Sequence, residues 1–160
     1  MAKKQGKQTY LMQQCLTVRA WAAVGSKKEG QGPLASGFDL IEPDSTFGQD
    51  SWEKAESRMV SLTVAKALSN AALTYEDIDC IFAGDLLNQC VGTTFGLRDS
   101  GIPLFGLYGA CSTMAEGMLL ASLLVDSQTV RRAMAVTSSH VCTAERQYRF
   151  PLEYGSVRPP

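Results

Sequence analysis

The chain has 160 residues, enough for one domain with a sizeable core. Apolar residues make up 45% and charged residues 19%, a balance that excludes extensive disorder. A net charge of −1 gives no basis for a nucleic-acid partner.

Residues 9–24, "TYLMQQCLTVRAWAAV", are β-branched, aromatic and apolar with partial alternation, which predicts one or two strands. Residues 25–50 carry glycine, proline and charge without periodicity and read as one long loop. A helix is expected over residues 51–70, capped by Asp50 or Ser51, with an apolar stripe of Trp52, Ala55, Met59, Leu62 and Ala65. "TYED", Thr74 to Asp77, has capping-box spacing and predicts a brief helical turn. A short buried strand follows at 80–83, ending at Gly84 and Asp85. A helix is then expected over 89–99, stopping at Gly101. "IPLFGLYG" reads as another strand. "STMAEGMLLASLLVDS" reads as a helix so apolar around its circumference that it should be buried on several sides. "RRAMAVTSSH" closes the series as a strand; beyond Ser139 no element is expected. Strands alternating with helices predict an α/β domain with a mostly parallel sheet.

The five cysteines are an odd number with no C-x-x-C, and the single histidine, His140, cannot complete a typical zinc set. Reduced thiols and an intracellular location are the simplest reading, with no metal and no cofactor. "MAKKQGKQTYLMQQ" has lysines but no apolar stretch after them, which argues against a secretory signal. The longest apolar run, "MLLASLLV", is too short to span a bilayer, so any membrane association is expected to be peripheral.

In open parallel sheets, ligands gather at the carboxyl ends of the strands. Three predicted ends carry polar groups: Asp85 and Asn88, then Cys111, then Ser138, Ser139 and His140. Cys111 is the sharpest candidate. Gly109 is expected to permit a tight turn before it, and the following helix points its free N–H groups and positive end at the sulfur. Those groups suit a nucleophile attacking a carbonyl. The plain alternative is a buried core thiol. Asp85 divides between a pocket group and a cap of the next turn. His140 is a candidate base for Cys111 or a packed residue. Arg146 and Arg149 can pair with carboxylates, including those of a ligand, but are expected to pair with Glu145 or Glu153, or to pack at a subunit contact.

The stretches "GKQT", "KEGQGPL", "FGQDSWEKAE", "EDID-IFAGDLLNQ", "LYGACSTMAEGM" and "TSSH-TAERQYRFPLEYG" together resemble the stage V sporulation protein AD family of spore-forming bacteria. That family is similar in fold to thiolases and ketoacyl synthases, in which a nucleophilic cysteine heads a buried central helix. The resemblance implies a thiolase-like layered α/β/α fold around such a helix, with Cys111 in "GACST" at the cysteine's position. It implies a non-enzymatic role: binding dipicolinic acid, a pyridine dicarboxylate, and supporting its uptake into the developing spore. The implied partners are the membrane proteins of the same stage V sporulation A operon and a second copy of the chain. The implied location is peripheral at the spore inner membrane. Cys111, Asp85, Asn88, Ser139 and His140 are then the ligand-binding candidates. The resemblance also implies that residues 1–160 form only the first half of a two-half fold, stopping before that half's last strand. The alternative activity is acyl transfer of thiolase or ketoacyl-synthase type through Cys111.

Overall fold

The computed structural model describes residues 1–148. Arg149, Glu153 and the proline-rich end lie outside them.

The element that organises the chain is β5 (Cys80–Gly84), buried along its whole length. It pairs in parallel with β6 (Leu104–Gly106) on one side and β7 (Ala133–Thr137) on the other, giving the order β6-β5-β7. Alternation along these strands splits the core. Ile81 and Ala83, with Val136, Met134 and Leu104, face a cluster built from Val60, Val64, Leu68 and Leu97. Those four belong to α2 (Trp52–Ala71) and α3 (Val91–Leu97). Phe82 points the other way, stacked on Phe105 at 4.9 Å. There it meets α4 (Thr113–Asp126), whose Gly117 sits against Phe82 and Ala135. The result is α2 and α3, then sheet, then α4. The α/β class and parallel pairing expected from strand–helix alternation are present.

Local chemistry explains the helix ends. Ser51 is extended (φ −144°), and its hydroxyl accepts the Lys54 amide at 3.3 Å, as an N-cap should. No glycine or proline interrupts the next twenty residues. Ala72 ends the helix in the left-handed region (φ 54°), and the Leu73 amide returns to the Leu68 carbonyl at 3.0 Å. The buried face is rotated from the expected stripe. Ala55 and Met59 are buried, with Glu56, Val60, Val64 and Leu68, while Ala65 is exposed and Trp52 and Leu62 only partly covered. The Thr74–Asp77 capping box forms around the turn Tyr75–Asp77.

Several expectations need correction. The strands expected over residues 9–24 are confined to the two ends of that stretch. A small antiparallel hairpin, β1 (Lys3–Gln5) with β2 (Thr9–Leu11), is followed by twelve residues without regular structure. The 25–50 stretch is not plain loop. β3 (Val24–Ser26) pairs in parallel with β4 (Leu40–Glu42) around the one-turn α1 (Lys27–Gly30). The helix expected at 89–99 is broken by left-handed backbone at Gln89 and Cys90, so only α3 is α-helical. α5 (Val141–Tyr148) stands where no element was expected. Finally, α4 is not buried on several sides within this chain. Its sheet-facing residues are covered, but Met114, Met118 and Leu119 are exposed.

Candidate functional site

Parallel pairing brings the carboxyl ends of β6, β5 and β7 to one rim. The Leu107 amide reaches the Ala83 carbonyl at 2.8 Å, and the Ser138 amide reaches the Gly84 carbonyl at 3.2 Å. Gly84 is required at the middle of this rim. A Cβ there would collide with the Leu107 carbonyl and stand 2.9 Å from Thr113 Cγ2.

Cys111 lies in a 3₁₀ turn, Ala110–Ser112, directly ahead of α4, and its side chain is exposed. The tight turn is made by Ala110 (φ 49°), not by Gly109, whose φ of −112° is open to any residue. Gly109 is needed for space: a Cβ would lie 2.6 Å from Ser112 Oγ and 2.8 Å from Glu116 Oε2. The start of α4 therefore faces the Glu116 carboxylate as well as the cysteine.

Asp85 is 2% exposed and fully engaged. Its Oδ1 accepts the Leu87 amide at 2.8 Å, and its Oδ2 accepts both the amide and the hydroxyl of Thr93 at 2.6 Å. It caps the turn into α3, the structural half of its two sequence readings. Asn88 is exposed beside it. Cys90 is buried, its thiol donates to the Leu107 carbonyl at 3.2 Å, and burial pushes its pKa up.

His140 is 3% exposed and sits against Trp52 and Phe47, with ring centroids at 5.4 and 6.3 Å. Its Nε2 donates to the Ser45 carbonyl at 2.7 Å, and its Nδ1 accepts the Cys142 amide at 3.3 Å. Those two partners define a neutral imidazole with the proton on Nε2. Both nitrogens are occupied, so His140 is not a base for Cys111: the dyad reading is corrected. Arg146 has a further partner besides the expected glutamates. It pairs with Glu53 of α2 at 3.6 Å.

The site candidates thus divide. Ser139 and His140 line a cleft of about 810 Å³, with Val24, Phe38, Lys28 and Tyr148 among its other walls. Cys111, Asp85 and Asn88 belong to the neighbouring part of the rim and do not line it. Tyr148 touches both regions, because its hydroxyl and that of Tyr108 donate to the same Leu86 carbonyl, at 3.4 and 3.1 Å.

Glu56 was missed by sequence reasoning. It is 1% exposed, and Oε1 accepts the Ser138 hydroxyl at 2.7 Å. Burial pushes its pKa up, and the nearby Asp85 carboxylate adds to that, against the Ser138 hydrogen bond. The available signal was a carboxylate flanked by Ala55, Met59 and Val60, on the apolar side of a helix.

The whole rim falls inside the region matched by the family model described as Stage V sporulation protein AD (SpoVAD), residues 6–160. This chain belongs to the SpoVAD family. It is 43% identical over 157 residues to the Stage V sporulation protein AD of Bacillus subtilis (strain 168), covering 98% of this chain and 46% of that protein. The chain therefore spans just under half the length of this curated SpoVAD relative. The family read from "AGDLLNQ", "GACST" and "AERQYRFPLEYG" is the one found. Among the described residues of this SpoVAD-family chain, no helix is long and apolar enough to cross a membrane.

Proposed function

We propose that this SpoVAD-family chain serves sporulation as a binding module for dipicolinic acid and carries out no chemistry on it. The observation that carries the reading is the cleft beside β7. It falls within the size range of small-molecule sites and joins an apolar wall to a few polar groups. Dipicolinate is a planar ring with two carboxylates. Lys28 would pair with one carboxylate, Ser139 would donate to the ligand, and Phe38 would cover the ring face. A binding role also suits a rim on which His140, the candidate base for Cys111, is engaged elsewhere. Acyl transfer through Cys111 would need that base from elsewhere, since His140 is committed to Ser45 and Cys142. The wider proposal keeps the thiolase-like layering around α4, work beside the A-operon membrane proteins, pairing with a second copy, and a peripheral place at the spore inner membrane.

Calorimetric titration with dipicolinate tests this, with pyridine-2-carboxylate and benzoate as comparisons. Saturable binding that prefers the dicarboxylate is expected, weakened about tenfold in Lys28→Ala, as loss of one charge-assisted pair predicts. No heat from a folded sample, or undiminished binding in Lys28→Ala, would overturn the cleft assignment. An acyl adduct on Cys111 after incubation with acyl-coenzyme A, seen by mass spectrometry, would favour the enzymatic reading instead.

A further inference from the structure

We infer that Glu56 is a positioning residue for the binding cleft: its buried carboxylate fixes the wall formed by residues 138–143 against α2. The inference deepens the binding role proposed above and rests on it for its ligand readout.

A buried carboxylate is costly unless hydrogen bonds compensate it. The surroundings of Glu56 would suit an apolar side chain, since Ala55, Met59 and Val60 are buried beside it on α2. Among the described residues no cation pairs with it. The groups that favour its anionic form all come from one segment. The Ser138 hydroxyl donates at 2.7 Å, and the His140 main chain acts in the same direction. That segment supplies Ser138, Ser139 and His140 to the cleft.

Two other ties hold the same wall, from His140 to the Ser45 carbonyl at 2.7 Å and from Thr143 to the Trp52 carbonyl at 3.1 Å. Their acceptors are main-chain carbonyls, which any residue at 45 or 52 would supply. Glu56 is the side chain on α2 whose identity decides the hold. Space is also arranged around it. Gly92 of α3 lies so close that a Cβ would stand 3.1 Å from Glu56 Cγ and 3.3 Å from Asp85 Oδ2. Asp85 organises the first rim loop through its own hydrogen bonds, and Glu56 organises the third. Two adjacent buried acids thus each fix one loop of the rim.

The test compares Glu56→Ala, Glu56→Gln and Val60→Ala, the last being an equally buried change on the same helix. Amide hydrogen exchange needs no ligand. In Glu56→Ala, protection of residues 138–143 should fall about tenfold or more beyond its level in Val60→Ala, as local release predicts. Glu56→Gln should restore most of it, because the amide oxygen still accepts from Ser138. Ser138→Ala should loosen the same segment and serves if Glu56→Ala does not fold. Dipicolinate affinity should follow, falling about tenfold in Glu56→Ala and about threefold or less in Glu56→Gln. Equal exchange in Glu56→Ala and Val60→Ala, or no rescue by glutamine, overturns the inference. Loosened exchange in Glu56→Ala, with no dipicolinate binding by the wild-type protein, would sink the ligand reading and leave the positioning role standing.

Discussion

Cys111 and Cys15 are exposed, whereas Cys80 and Cys90 are buried with thiol pKa values raised by burial. A thiol reagent under native conditions should therefore modify Cys15 and Cys111 quickly and leave Cys80 and Cys90 until unfolding, read by peptide mass spectrometry. Asp85 gives a sharper expectation. Asp85→Ala would orphan the Leu87 and Thr93 amides in a buried turn, costing about 3 kcal/mol in urea denaturation. Glu56 sets a pH dependence. Its pKa is raised in the fold, so the ionised form opposes folding, and that cost fades as pH falls through the raised value toward 4.5. The stability difference between Glu56→Gln and wild type should accordingly move in favour of the glutamine variant from pH 4.5 to neutrality. A flat difference across that range would contradict the assignment.

α2 was legible because its cap, length and lack of breakers are local, yet its C-terminus holds an alanine in left-handed geometry that favours glycine. Ala72→Gly should raise stability by about 0.5–1 kcal/mol, measured by thermal or urea unfolding. The N-terminal segment was harder to read, because the chain just after its hairpin is held by a distant residue. Asp126, the last residue of α4, accepts the Gln13 and Gln14 amides at 2.6 and 2.8 Å. Those amides, Gln14 first, lower its pKa, so this tether contributes above the ordinary aspartate range of about 4 and is lost on stronger acidification. α4 itself presents Met114, Met118 and Leu119 to solvent. On the proposed pairing with a second copy across this face, Leu119→Lys should shift light scattering toward the monomer.

At the scale of the molecule, the described residues make a three-stranded parallel sheet with helices on both faces, beside the β1-β2 hairpin and the β3-β4 pair, and the chain spans 46% of its Bacillus subtilis relative. The expectation that α4 is wrapped came from its composition, and composition does not say which chain supplies the cover. The proposed dipicolinate binding also belongs to this scale. Val24, Phe38, Lys28 and Ser139 reach one cleft only because β3 and the end of β7 are brought together.

The sequence by itself determined the family, the alternation of strands and helices, the cap at Ser51 and the box at Thr74. Each is a local pattern or a run of residue types readable without knowing what packs where. Only the tertiary structure decided the rest. It committed His140 to Ser45 and Asp85 to Thr93, because a side chain's role depends on partners elsewhere in the chain, here 95 and 8 residues away. It separated Cys111 from the cleft. It buried Glu56 under Ser138, since a helix's apolar face is set by its neighbours and not by the stripe its own residues suggest.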